Sequence, residues 1–336
     1  MSQPTIRDVA AAAGVAASTV SNYFNHPEKL ANTTQERIQE AIGTLGFVPN
    51  NVARMLRTKM NPVIGYITSG SSTAGSLEAA RAAERRVEEE GMHLLMAHCG
   101  SEERERSYLD LFVQQRVAGI MIAPARGTEE ELSRIRDHGI PSVVVTRRAT
   151  SPVQASVSTD HIAGGRLTAE HLIGEGRRRL GLLANDLDSS EIQDHLRGVM
   201  SALAAAPGVA LEIIRASDGS SHAGAACADQ VMQRPPAEQP DGLICTTGPL
   251  ALGAARAFNS PPQPINPSGM SIVGYGVTAV SPLAEEHIKA VRLPYFEMGE
   301  AAVNILFDQL THTESEDGPF GASETPQIEL SPVIVA

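Results

Sequence analysis

Several function classes are set aside by what this chain of 336 residues does not contain. Its three cysteines, Cys99, Cys227 and Cys245, are odd in number and far apart, which excludes a disulfide scaffold and fits a reducing compartment. The opening MSQPTIRDVA has neither the basic nor the apolar segment of a secretory leader, and no run approaches the ~20 apolar residues of a membrane span. A cytoplasmic protein without membrane contact is therefore expected. His93, His98 and Cys99 lack the spacing of a metal-ligand set. No glycine-rich dinucleotide or phosphate loop and no GxSxG elbow occurs. STDHIAGG places Ser158, Asp160 and His161 side by side, whereas a hydrolytic triad draws its members from separate segments. Neither a cofactor nor an enzymatic activity is expected, and the chain shows no tandem repeat or leucine heptad.

Net positive charge is also missing, since 27 basic residues face 39 acidic ones for a net of -12. That balance argues against a nucleic-acid partner until the chain is divided. Residues 1–60 hold six basic side chains (Arg7, Lys29, Arg37, Arg54, Arg57, Lys59) and four acidic ones (Asp8, Glu28, Glu36, Glu40). The remaining 21 basic and 35 acidic residues leave a net of -14 on the rest, against +2 on the first segment. A weakly basic module on an acidic body is the pattern of a chain whose partner binds one end. Length points the same way, because single cores stop growing near roughly 250 to 300 residues.

The first 46 residues read as three short helices. Thr5 and Asp8 are spaced as a capping box for a helix through Ala13, which Gly14 ends. ASTVSNYFN follows a tight turn and turns Val20, Tyr23 and Phe24 inward. Thr33 and Glu36 form a second capping pair, ahead of Ile38, Ile42 and Leu45 at helical spacing, and Gly46 closes that helix. Two helices joined through a glycine turn fit a helix-turn-helix or an ordinary three-helix bundle equally well. The outer face of the second helix favours the former: Ser18, Thr19, Ser21, Asn22 and Asn25 are short hydrogen-bonders that can approach phosphates and base edges. From Pro62 onward, short β-branched runs such as VIGYI, GIMIAP, SVVVT and LGLLA alternate with helical segments, predicting doubly wound parallel sheets in two lobes.

TIRDVAAAAGVAASTVSNYFN, continued by TTQERIQEAIGTLGFVPNNVARMLRT, resembles the DNA-binding headpiece of the lactose-repressor (LacI) family of transcriptional regulators, and TDHIAGGRLTAEHLIGEGRRRLGLL extends the likeness into the remainder. The resemblance implies an all-α helix-turn-helix headpiece (1–48) and a hinge helix (49–61). An α/β core of two doubly wound parallel-sheet lobes (62–336), like periplasmic sugar-binding proteins, would follow. The first lobe would span about 62–159 and 291–322, the second about 160–290 and 323–336. It further implies a homodimeric repressor on a near-palindromic double-stranded operator. Base-reading positions fall on Ala17, Ser18 and Asn22, and phosphate contacts on Thr5, Thr19, Ser21, Asn25, Thr34 and Asn51. Ala53, Leu56 and Arg57 match the hinge residues at the minor groove, with Leu56 as an apolar wedge. SPVIVA, without terminal heptads, weighs against a tetramer built on a helical tail.

An effector pocket between the lobes is implied at Ser69, Thr146, Asp160, His195 and Thr247. Here the family pattern is altered. Thr146 stands where an Asp is usual, His195 for an Arg, Thr247 for an Asn and Gly248 for an Asp, while Gly276 and Val277 replace carboxylates; Asp160 alone keeps its usual type. So many lost polar partners disfavour a highly hydroxylated sugar. Open readings are a different, less hydroxylated effector, a phosphometabolite or protein partner acting on the core, and a pocket that has lost its ligand; a sugar, a nucleoside and a phosphometabolite are the candidate small molecules. A sugar-binding or sugar-processing protein with an incidental helical extension is the remaining class.

Overall fold

The computed structural model describes residues 4–47, 61–69, 73–124, 129–259, 270–277, 288–313 and 325–335. It divides into two compact units, Met1–Asn61 and Pro62–Ala336. The hinge residues Asn51, Ala53, Leu56 and Arg57 lie outside the described residues.

In the first unit, α1 (Ile6–Ala13) starts at Thr5, whose backbone N–H and hydroxyl both donate to the Asp8 carboxylate at 2.7 Å. Gly14 stops it in the left-handed region, φ 63°, a conformation that costs glycine nothing. Next come α2 (Ala17–Asn25), a short 3-10 turn at Pro27–Lys29 and α3 (Asn32–Leu45), which Gly46 ends at φ 60°. Thr33 does not cap α3 as its spacing with Glu36 predicts. The helix begins earlier, and the Ala31 carbonyl accepts from the Thr34 and Gln35 amides. Gln35 explains the shift: its amide donates to the Pro27 and Leu30 carbonyls at 2.9 and 3.1 Å, drawing the first turn of α3 onto the preceding loop. Val9, Val20 and Ile38 are fully buried at the centre, closed off by Phe47 and Phe24.

The second unit contains two six-stranded sheets. The first is built from β1 (Asn61–Ser69), β2 (His93–Cys99), β3 (Val117–Ala123), β4 (Ser142–Thr146), β5 (Ala155–Thr159) and β11 (Gln327–Leu330), in the order β11-β5-β4-β3-β1-β2. The second is built from β6 (Arg179–Ala184), β7 (Ala210–Arg215), β8 (Gly242–Cys245), β9 (Ser271–Val277), β10 (Lys289–Arg292) and β12 (Val333–Val335), in the order β12-β10-β9-β8-β6-β7. Strand β12 runs antiparallel to β10, whereas β6, β7, β8, β9 and β10 pair in parallel. Every residue of β3, VAGIMIA, is buried, as parallel strands covered by helices on both faces require.

Helices α4 (Thr73–Glu89), α5 (Glu102–Gln114), α6 (Glu129–Asp137) and α11 (Tyr295–Thr313) pack with the first sheet. Helices α7 (His161–Gly174), α8 (Ser190–Ala204), α9 (Ser221–Met232) and α10 (Gly248–Asn259) belong to the second lobe. Helices α7 and α8 meet at backbone distance: a Cβ on Gly165 would fall 1.9 Å from the His195 carbonyl oxygen, and one on Gly198 2.0 Å from that of Ile162. No other residue fits either place.

The lobe boundaries differ from the expected ones. All of β10, through Arg292, lies in the second sheet, although 291–322 was expected in the first lobe. Residues 323–336 do not all go to the second lobe either: Gln327–Leu330 pairs with β5, and only Val333–Val335 returns to β10. PQIELSPVIV thus forms two strands on different sheets. Pro332 separates them, since proline has no N–H to donate and restricts the residue before it. Strand β5, ASVST, is wholly buried yet was not anticipated.

Candidate nucleic-acid interface and inter-lobe cleft

On α2, Val20 is fully buried in the headpiece core, while Ala17, Ser18 and Asn22 are exposed. Ser18 and Asn22 are four residues apart and share one helix face. Thr19, Ser21 and Thr34 are half-buried, and Thr5 is exposed at the start of α1. Asn25 closes α2, and its side chain lies outside the described residues. The small hydrogen-bonders thus line the solvent side of a helix whose other side is fixed by apolar contact.

Sequence reasoning overlooked what holds the turn between α1 and α2. The Arg37 guanidinium reaches back from α3, donating from Nε to the Ala13 carbonyl at 3.0 Å and from Nη2 to the Gly14 carbonyl at 2.9 Å. These carbonyls end α1, where helical partners run out. Arg37 was counted as basic charge available to a polyanion, yet its charge is directed at the turn. Only the contact of residues 13 and 37 in space reveals this.

At the cleft end of the core, several expected effector residues have local duties. Asp160 caps α7, accepting from the Ala163 amide at 2.8 Å. Thr247 caps α10, its hydroxyl accepting from the Leu250 amide and donating to the Gly219 carbonyl, both at 3.3 Å. Thr146 ends β4 with φ 80°, a left-handed conformation that a β-branched residue adopts only under constraint from its surroundings. Ser69 is the last residue of β1, and its side chain lies outside the described residues.

His195 is 1% exposed, with its ring stacked on Tyr275 at 4.3 Å between centroids. Its Nε2 lies 3.4 Å from the Thr168 hydroxyl, and its Nδ1 has no hydrogen-bond partner. Burial, with the neighbouring His161, pushes its pKa down to about 3, so the ring is neutral at physiological pH. His161 Nδ1 shares a 2.7 Å hydrogen bond with the Tyr275 hydroxyl. Burial lowers the His161 pKa, against the opposing pull of Glu191, Asp160 and the Thr146 backbone. The Tyr275 hydroxyl is pushed well above its usual range by burial, reinforced by Tyr295 and Asp160. A neutral His-Tyr-His cluster therefore occupies the carboxyl end of β9, where the sequence signalled only missing carboxylates at Gly276 and Val277. No cluster of three or more potential metal ligands occurs among the described residues, and none of their helices is long and apolar enough to cross a membrane.

Comparison with known proteins assigns both units. Residues 5–50 match the model of bacterial regulatory proteins of the lacI family, and residues 51–314 match the periplasmic binding protein domain. The HTH-type transcriptional repressor PurR of Haemophilus influenzae (strain PittEE) is 26% identical over 340 residues, covering 98% of this chain and 97% of the relative. Among solved structures, the Lac repressor bound to ONPG in the repressed state superposes with a TM-score of 0.79 at 23% identity, covering 100% of this chain and 99% of that one. A lacI-family transcriptional regulator from Silicibacter pomeroyi gives 0.76 at 22% identity, with 99% and 98% covered. With a lacI-type DNA-binding segment followed by a periplasmic-binding-protein domain, the chain belongs to the lacI family of bacterial regulatory proteins.

Proposed function

We propose that the protein is a cytoplasmic repressor that binds a near-palindromic operator as a homodimer, with a small molecule in the cleft between the two lobes setting its affinity for DNA. The observation that carries this reading is the outer face of α2, where Ala17, Ser18 and Asn22 are exposed opposite a buried Val20. Asn22 suits a bidentate contact to adenine, Ser18 bonds to either base class, and Ala17 offers a methyl to thymine. Thr5, Thr19, Ser21, Asn25, Thr34 and Asn51 supply phosphate contacts, which set register without reading sequence. Ala53, Leu56 and Arg57 act at the minor groove, where Leu56 wedges a base step at a cost of a few kcal/mol that the contacts of bent DNA offset.

One headpiece with its hinge, residues 1–60, carries a net charge of only +2 and can neutralise few phosphates, so two copies on one palindrome supply the avidity that one lacks. Selection from random DNA with the full-length protein tests the reading: a two-fold symmetric consensus is expected, and recovery of unrelated sequences would refute it. Replacing Leu56 by alanine is expected to weaken operator binding while leaving the headpiece folded.

A second reading, in which the cleft has lost its small-molecule ligand, is favoured by Asp160 and Thr247 serving as helix caps and by the burial of His195 against Tyr275. Calorimetric titration with sugars, nucleosides and phosphate esters separates the two, the first predicting heat of binding from at least one class and the second from none.

A further inference from the structure

Arg147 follows the last residue of β4, at the carboxyl edge of the first sheet, the edge at which doubly wound lobes receive ligands. Its Nε and Nη2 atoms are buried and have no hydrogen-bond partner. A guanidinium stays protonated at any physiological pH and offers five N–H donors in a planar fork. Burying such a charge without an acceptor is costly, and natural chains retain it where a partner arrives from outside.

Three other arginines of these lobes are satisfied within the fold. Arg148 donates to Gln327, Arg292 pairs with Glu78 and Glu297, and Arg234 with Glu212. The residue before Arg147 adds a second observation, because Thr146 holds φ 80° where strand backbone would run on. Strain of this kind is stored where a side chain must be aimed.

The geometry points to an anionic effector, a carboxylate or phosphate ester, whose oxygens pair with the Arg147 guanidinium. This rests on the effector-controlled reading above and specifies its ligand class. Fork-shaped donors match the two oxygens of either group, and charge-assisted bonds of this type are about twice as strong as neutral ones. Thr146 in place of an acidic residue fits the same logic, because a carboxylate beside Arg147 would repel the ligand and satisfy the arginine.

The test uses the full-length protein and thermal unfolding with four probes: inorganic phosphate, glucose 6-phosphate, citrate and glucose. A saturable rise in Tm with at least one anion, and none with glucose, is expected; phosphate esters and citrate tell the two oxyanion classes apart. Arg147→Gln should weaken the effective anion roughly 10- to 100-fold, and Arg147→Lys, which keeps charge but not the fork, less. Without ligand, Arg147→Gln should unfold at the same or a higher temperature than the parent, because no internal partner is lost. An anion response unchanged in Arg147→Gln, a response to glucose alone, no response to any probe, or a clear loss of ligand-free stability in Arg147→Gln would each overturn the inference.

Operator affinity, measured in parallel, keeps the two readings apart. An anion that binds through Arg147 without altering DNA affinity preserves the anion site and refutes effector control. Glucose that alters DNA affinity does the reverse.

Discussion

Replacing His195 by phenylalanine should make the protein more resistant to acid. The ring is 1% exposed and stacked on Tyr275, and its pKa is pushed down to about 3 from an ordinary 6.5. Above pH 6.5 neither the folded nor the unfolded chain protonates this residue, so it has no effect on the pH dependence. As the pH falls from 6.5 toward 3, the unfolded chain takes up a proton that the folded one refuses, and stability is lost over that window. At pH 5 the loss relative to pH 7 is about 2 kcal/mol from this residue alone. Phenylalanine preserves the ring stack and removes the titration. Urea unfolding at pH 7, 6 and 5 should show the parent losing about 2 kcal/mol more than His195→Phe. His161, whose pKa is also lowered by burial, remains in both proteins, so the difference isolates His195. Parallel pH profiles would show that His195 is protonated in the folded state and refute the buried neutral stack.

Other perturbations follow from single contacts. Arg37→Ala leaves the Ala13 and Gly14 carbonyls without their donor and should cost the headpiece roughly 1 to 3 kcal/mol, seen as loss of its helical signal at lower temperature. Gly165→Ala places a methyl 1.9 Å from the His195 carbonyl oxygen and should cost about 3 kcal/mol or more, read as a fall in Tm of the core or as insoluble protein. Operator affinity should fall steeply with salt, with a logarithmic slope near -0.9 for each phosphate contacted; a flat dependence would contradict a dimer held by paired headpieces.

What could be read from the sequence was largely local. Thr5 and Asp8 are three residues apart, so their reciprocal contact is written in the spacing and recurs in the structure at 2.7 Å. Apolar runs such as VAGIMIA announce buried parallel strands for the same reason. Strand β5 escaped because ASVST is short and mostly small or polar, and its burial comes from β4 and β11 on either side. The passage of the chain from one sheet to the other between Leu330 and Val333 depends on pairings 171 and 41 residues distant, Leu330 with Thr159 and Val333 with Arg292. In the cleft, residue types were legible but their duties were not. Asp160 kept a familiar type while its oxygen serves the start of α7, and His195, read as a lost polar partner, lies against Tyr275 eighty positions away. Hydrogen-bond acceptors and ring faces are spent on neighbours that spacing alone does not identify.

The central claim is that the exposed face of α2 reads DNA sequence. Fluorescence anisotropy at one fixed salt concentration tests it most directly, with the full-length protein and its Asn22→Ala variant titrated against the selected operator and a scrambled duplex. The parent should prefer the operator by about 1,000-fold or more. Asn22→Ala should lose roughly 1 to 3 kcal/mol on the operator and almost nothing on the scrambled duplex. Equal losses on both duplexes, or no loss on either, would contradict a base-reading role for this face.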